Sequence, residues 1–455
     1  MSGSQSFDDT PVAHKRQLIN WFEAGCKPAS QWRVGTEHEK FLFHLNTLAP
    51  VTYEGENGIN MVLYELQAFK WEPVIEGDHV IALKRGAAAI SLEPGGQFEL
   101  SGAPFATLHE TADELAHHMD EMGSVCRLLG LGALGLGFHP TAKREDVPWM
   151  PKARYQIMRS YMPKRGSLGL DMMLRTCTVQ ANLDYSSEKD MVAKMRVAMA
   201  LQPVVVALFA NSPLRDGNLS GDLSFRARVW QHTDPDRCGH LEFVFHPDFN
   251  FESYTDYALN VPMYFVRRDG QYIDVAGASF KDFMQGKLSA LPGDRPTMGD
   301  WADHLSTLFP NVRLKQYLEM RGADMGNFEM TLALPALWTG LLYDSDSLAA
   351  CLEIINRWIG ADRTKLNQFS PRLRLGDMAV EGSVRALGQS LLKIAFMGLR
   401  RRAKSSFIYD DEAVYLQPLA VMLERGISQA EAVQRLFCDD WNNDATRLFP
   451  FARLL

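Results

Sequence analysis

Three short stretches carry residues whose types and spacing suit chemistry on anions: Glu37 with Glu39, Glu93 with Glu99, and Glu319 with Arg321. Residues two apart in an extended strand share a face, so Glu37 and Glu39 project together, as do Glu319 and Arg321. Around Pro94-Gly95-Gly96, Ile90, Leu92, Phe98 and Leu100 alternate with Ser91, Glu93, Gln97, Glu99 and Ser101. That pattern reads as a hairpin whose polar face carries Glu93 and Glu99. Two carboxylates on one sheet face repel unless a cation stands between them. Taken alone, such a hairpin reads as a solvated face bearing surface glutamates.

Collected together, five carboxylates without a histidine or cysteine cluster are hard oxygen donors, which suit magnesium or manganese rather than zinc. One magnesium keeps several waters, so two or three ions bridging a nucleotide match the count better. Other chemistries fail on spacing. Leu42 stands where an HExxH zinc site needs its second histidine, and no GxSxG elbow or GxxxxGK[ST] loop occurs. Any ATP would therefore be held by metals and a sheet rather than by a P-loop. The GxGxxG spelled from Gly130 to Gly135 has a helix before it and His139-Pro140 after it, the wrong context for a dinucleotide site. Glycoside hydrolysis also uses paired carboxylates and stays open on these residues. Complementary charge is available from Lys152 and Arg154, near a helix start, and from Arg226 and Arg228 before Trp230.

The elements that must position these groups follow from periodicity. Residues 11–25 read as an amphipathic helix with Leu18, Ile19, Trp21 and Phe22 inward. Strands are expected over 33–45, 80–83, 131–138, 173–185 and 314–321, and hairpins over 91–102 and 262–275, the latter turning at Asp269-Gly270. In the 173–185 strand, Thr176, Thr178, Gln180 and Asn182 form a neutral polar face. Helices are expected over 57–71, 107–129 and 188–210, then over 332–342, 347–358, 384–402, 411–424 and 428–438. Antiparallel strands interleaved with helices, followed by a helical last third, argue for an α+β fold.

The bulk composition narrows the class. The 455 residues are 46% hydrophobic and 22% charged, ordinary for a folded soluble protein. A net charge of −8 argues against a nucleic-acid binder, and the run from Arg400 to Lys404 is expected to end a helix. The apolar stretch 197–210 is too short to span a bilayer. The polar, acidic start resembles neither a signal nor a transit peptide. Six scattered cysteines without a CxxC pair indicate reduced thiols and hence a cytoplasmic protein.

At this point longer runs carry a resemblance: 35–41 (GTEHEKF), 91–104 (SLEPGGQFELSGAP), 150–155 (MPKARY), 166–184 (GSLGLDMMLRTCTVQANLD), 207–213 (ALFANSP), 261–265 (VPMYF) and 317–324 (YLEMRGAD). Spread over nearly the whole chain, they resemble plant-type glutamate–cysteine ligase, a class also found in proteobacteria. The resemblance implies the glutamine synthetase-like fold, a curved antiparallel sheet forming a cup surrounded by helices. It also implies one catalytic domain over 1–455, with an N-terminal helix within about 1–30 and a mainly helical part over about 332–455.

The implied reaction joins the γ-carboxylate of L-glutamate to the amine of L-cysteine at the expense of ATP, through γ-glutamyl phosphate. By the same resemblance, Glu37, Glu39, Glu93, Glu99 and Glu319 form the shell for two or three Mg2+, or Mn2+. Arg321 and Glu99 are catalytic. Arg154, Arg226, Tyr264, Thr176 and Thr178 bind substrate, with Tyr264 in the cysteine pocket, and Gln180 is a metal or nucleotide contact. Expected partners are L-glutamate, L-cysteine and ATP, with no nucleic acid, membrane or obligatory protein partner, in a monomer or weak homodimer. A ligase using a different amine, or a non-catalytic relative, are the alternatives. Segments 141–147 and 216–220 are candidate lids. Plant members carry two cysteine pairs tied to redox control; the matching positions here are Ala112 with Leu332 and Val275 with Ala290, so no such switch is expected.

Overall fold

A computed structural model describes residues 8–455; residues 1–7 of the polar start lie outside it. The main sheet is built from β1 (Val34–His44), β2 (Glu72–Glu76), β3 (His79–Arg85), β4 (Ala88–Leu92), β5 (Phe98–Ser101), β6 (Leu131–Leu134), β7 (Thr178–Leu183), β8 (Val312–Leu314) and β9 (Leu318–Asp324). Its order is β8-β9-β7-β1-β5-β4-β3-β2, with β6 paired to the far end of β1. The pairings are antiparallel. β1 is the hinge of the register: Glu37 faces Gln180 of β7, and Glu39 faces Glu99 of β5.

Helices cover the sheet. α1 (Lys15–Glu23) buries Leu18, Ile19 and Phe22. α2 (Ile59–Leu66) and α3 (Leu108–Leu129) pack beneath β2–β5. α3 begins where expected because Thr107 and Glu110 form a reciprocal cap, and it ends at Gly130 in the left-handed region. The remaining helices used below are α4 (Ala153–Tyr161), α5 (Gly169–Arg175), α6 (Glu188–Leu208), α7 (Phe225–Gln231), α8 (Met298–Ser306), α9 (Phe328–Leu342) and α10 (Val384–Arg402). α6 is long and apolar enough to cross a membrane by length and composition, but 83% of its apolar window is buried among the other helices. It is a core helix. α9 and α10 cross so closely that a Cβ on Gly398 would lie 2.1 Å from the Gly340 carbonyl oxygen.

The expected α+β class holds, and the glycine-rich stretch is not a nucleotide loop. Gly130 caps α3, while a Cβ at Gly132 would meet the Phe43 ring at 2.5 Å. Three expectations need correction. The start of the 173–185 strand is helical, because α5 runs to Arg175, whose guanidinium is ion-paired to Asp171 one turn earlier. The 314–321 strand is two strands, with Lys315 N–H donating to the Tyr317 carbonyl in the turn between them. The 131–138 strand ends at Leu134. The short helices α4, α7 and α8, and Phe251–Asn260 and Gly360–Phe369, escaped the periodicity.

α3 also gives the end of β5 a pH dependence. Glu114 accepts the Ala103 N–H at 3.0 Å just beyond β5, and burial pushes its carboxyl up to about 7 from 4.5. Between those values the folded chain binds the extra proton, so this group's stabilisation falls as pH rises through that window. Glu114→Gln, which keeps an acceptor, should match the parent at pH ~5 and unfold at higher temperature than the parent at pH ~8. Thermal unfolding at the two pH values checks this.

Candidate active site

Glu39 and Glu99 stand directly opposite one another on adjacent antiparallel strands, an arrangement a sheet tolerates only with compensation. Together with Glu37 and Glu93 they line a cavity of about 380 Å³. The other walls come from α4 (Arg154, Tyr155), β7 (Thr178, Gln180), α7 (Arg226, Trp230), the 265–274 hairpin (Phe265, Arg267, Tyr272), α8 (Ala302, Asp303) and the β8–β9 region (Arg313, Lys315, Arg321). One side is acidic and the facing sides are basic. The polar hairpin face is therefore not solvated: Ser91, Gln97, Glu99 and Ser101 are buried, as are Thr176, Thr178 and Gln180.

The sheet fixes each carboxylate. Glu37 accepts from Asn182 Nδ2 at 3.0 Å, Glu39 from the Thr178 N–H at 2.9 Å, and Glu99 from Ser101 Oγ at 2.5 Å. Glu93 follows β4 in a turn closed by its N–H to the Gln97 carbonyl at 3.0 Å. Burial pushes the Glu99 carboxyl up to about 7, and the neighbouring Glu37 and Glu93 add to the rise. Burial likewise raises Glu39 well above the ordinary range, with Glu99 and Glu93 adding repulsion and Arg226 offsetting part of it. A wall of carboxylates held against repulsion favours cationic company.

Gly95 sets the hairpin against α5. A Cβ there would meet the Leu174 carbonyl oxygen at 2.4 Å. Gly95→Ala is expected to cost about 1–3 kcal/mol by overpacking and to lower turnover by shifting Glu93. Urea unfolding and steady-state rates measure both.

Glu319 departs from expectation. It is fully buried, does not line the cavity, and meets three cations. Arg313 Nη2 donates to both its oxygens at 2.7 and 2.9 Å, Lys315 Nζ lies 3.0 Å away, and Arg321 Nη1 donates to Oε1. Burial alone would raise its carboxyl, but Arg313, Lys315 and Arg321 hold it well below the ordinary range. Glu319 is thus the shared counter-ion of three cavity cations rather than a group facing the cavity. Arg321 also donates to Gln180 Oε1 at 3.0 Å, and its guanidinium packs 5.8 and 5.7 Å from the centres of the adjoining Trp230 and Phe309 rings.

The expected substrate residues divide. Arg154 and Arg226 line the cavity, and each has a buried Nε without a hydrogen-bond partner. Thr176 and Thr178 line it too, but their hydroxyls donate to the Met172 and Ala323 carbonyls at 2.7 and 2.8 Å. Tyr264 does not line the cavity although its chain neighbour Phe265 does; its ring is 3.7 Å from the Arg237 guanidinium and its buried hydroxyl is unpartnered. Neither 141–147 nor 216–220 lines the cavity. Buried Arg175 pins both, donating to the Ala142 carbonyl at 2.9 Å and pairing with Asp216. Arg313 and Lys315 escaped the sequence reading, although Val312-Arg313-Leu314-Lys315 alternates and puts both cations on one face.

Among the described residues the six cysteines are free, and no three His, Cys, Asp or Glu side chains stand close enough to hold an ion by themselves. The family model described as glutamate-cysteine ligase family 2 matches residues 33–447. The chloroplastic glutamate–cysteine ligase of Brassica juncea is 48% identical over 436 residues, 96% of this chain and 83% of that protein. The Arabidopsis thaliana enzyme of the same description is 48% identical over 439 residues, 96% of this chain and 82% of that protein. Among solved structures, a glutamate–cysteine ligase from Francisella tularensis in complex with AMP superposes with a TM-score of 0.53 at 12% identity, over 92% of this chain and 88% of that one. That likeness supports the fold alone. The relatives overturn the cytoplasmic expectation: the plant enzymes this chain resembles are chloroplastic. Free thiols report a reducing compartment, not which one.

Proposed function

The chain belongs to glutamate–cysteine ligase family 2, and from that premise we infer how its cavity carries out the ATP-dependent joining of L-glutamate to L-cysteine, the first step of glutathione biosynthesis. The observation that carries the reading is one cavity with four glutamates on one wall and six cations on the others, in a chain without a P-loop. A nucleotide triphosphate held without a P-loop needs charge compensation from the walls, and this cavity supplies it from both sides.

In the proposed reaction a γ-carboxylate oxygen of glutamate bonds to the γ-phosphorus of ATP as the bond to the ADP oxygen breaks. The cysteine amine then attacks the acyl carbon of γ-glutamyl phosphate, and phosphate leaves with the electron pair and the bridging oxygen and takes up the proton the amine gives up. Arg321, braced by Glu319 and Gln180, is aimed at the transferring phosphoryl group. Arg154 and Arg226 each offer an unused buried Nε to a substrate carboxylate. The Thr178 N–H orients Glu39, and the Thr176 and Thr178 hydroxyls tie the end of α5 and the β7 edge in place. Tyr264, with its buried, unpartnered hydroxyl, is assigned to the cysteine side.

The donor set fits magnesium. Opposed, buried carboxylates with raised affinity for positive charge suit a hard dication. The lack of a ready three-donor group among the described residues suits an ion that completes its shell from phosphate oxygens and water. Glu37, Glu39, Glu93 and Glu99 would hold it, with more than one ion matching the donor count; Glu319 is left out of this set. Bound there, magnesium supplies neutralisation of the polyphosphate charge. The rest of the work belongs to the side chains, which orient the two amino acids and keep the phosphoryl acceptor in line.

A coupled ADP-release assay with glutamate and a panel of amines tests the assignment. ADP release should require glutamate and be fastest with cysteine. Faster release with another amine would move the protein to the alternative ligase reading, and release without glutamate would end the assignment.

A further inference from the structure

Two of the signature stretches, 207–213 and 317–324, contribute only Tyr317 and Arg321 to the cavity, yet they converge on one buried carboxylate. Asp324 closes β9 and is 1% exposed. Its Oδ2 accepts the Asn211 N–H at 2.8 Å and Ser212 Oγ at 2.6 Å, and its Oδ1 accepts Ser224 Oγ at 2.8 Å. Both serines pass the constraint on. Ser212 Oγ accepts the backbone N–H of Arg226 at 3.2 Å, and Ser224 Oγ accepts the Ala227 N–H at 3.1 Å as the cap of α7.

The other end of Arg226 is tied to the same strand. The pairing of β9 with β7 slips between Met320 and Ala323, a bulge that takes the Arg321 and Gly322 carbonyls out of the regular ladder. Arg226 Nη2 and Nη1 donate to those two carbonyls at 2.9 and 3.2 Å. A Cβ on Gly322 would lie 2.1 Å from Gln202 Nε2, so any larger residue at the bulge must displace the Gln202 side chain. Arg226 is therefore held at its guanidinium directly, and at its backbone N–H through Ser212, by the four-residue stretch 321–324 of β9 that also carries Arg321. Burying a carboxylate is costly, and an apolar residue would pack the junction at less expense. What the carboxylate adds is a fixed relation between two arginines.

We propose that Asp324, acting through Ser212 and Ser224, is a positioning residue that sets Arg226 at a fixed spacing from Arg321 and thereby governs recognition of an amino-acid carboxylate. The inference rests on the assignment of Arg226 to substrate binding and deepens it.

Kinetics of the full-length enzyme test it. Asp324→Asn, which keeps the shape but reverses one hydrogen bond, should raise KM for glutamate or cysteine roughly tenfold and leave KM for ATP unchanged. Ser224→Ala should share that rise, and Ser224→Thr, which keeps the hydroxyl, should restore the parent value; this pair carries the test if Asp324→Asn does not fold. Arg226→Lys should raise the same KM, and the Asp324→Asn/Arg226→Lys double variant should be no worse than Arg226→Lys alone. A lowered melting temperature with unchanged KM in Asp324→Asn, or multiplying effects in the double variant, would overturn the inference while leaving Arg226 as a binding residue. Unchanged amino-acid KM values in Arg226→Lys would instead remove Arg226 from substrate binding, and the inference with it.

Discussion

Replacing Glu99 by Gln should lower turnover by about a hundredfold or more without loss of folded protein. Glu99 is buried opposite Glu39, and burial together with Glu37 and Glu93 already pushes its carboxyl up to about 7. The substrate-free fold therefore gains nothing from its charge. Gln keeps the acceptor for Ser101 Oγ and relieves the repulsion, so the thermal midpoint should be unchanged or higher. Turnover suffers because an amide is a poorer donor to a hard dication than a carboxylate. The measurement is turnover at saturating magnesium beside thermal unfolding of the substrate-free protein. Parent-like turnover would show that Glu99 does no electrostatic work in the reaction.

Glu319→Gln should behave in the opposite way toward stability. Its carboxylate is met by Arg313, Lys315 and Arg321, and removing that charge leaves three buried or nearly buried cations facing one another. Breaking a buried ion cluster from one side costs about 3–5 kcal/mol, so the denaturation midpoint should fall sharply. In the fraction that folds, Arg321 loses its brace and turnover should drop, while the magnesium dependence of the residual rate stays that of the parent. A shift in magnesium requirement with intact stability would return Glu319 to the ligand set.

Much of this was legible in the residues. The alternation around Pro94-Gly95-Gly96 placed the hairpin, and the Glu37/Glu39 spacing placed two carboxylates on one face of β1, because period-two patterns translate directly into strand faces. The end of α3 was legible from Gly130. What spacing does not convey is compensation across the sheet. Glu319 and Arg321 share a face, but only the β8–β9 turn brings Arg313 and Lys315 onto the same carboxylate. Taking the strand to begin at Leu314 hid Arg313, and running it through 315–317 hid the turn. The end of α5 is hidden for a related reason: extending the clean alternation backward from Thr176 to 173 runs it into a helix held by the Asp171–Arg175 pair. Tyr264 rests on resemblance alone, and it is its chain neighbour Phe265 that lines the cavity.

The acidic and basic walls acquire a common purpose if glutamate's own oxygen ends up on phosphate. That is the most direct test of the account. Glutamate carrying heavy oxygen in its γ-carboxylate, turned over with cysteine and ATP, should release phosphate bearing one labelled oxygen for each γ-glutamylcysteine formed. Phosphate released without label, alongside normal product, would show that no γ-glutamyl phosphate forms and would contradict the mechanism.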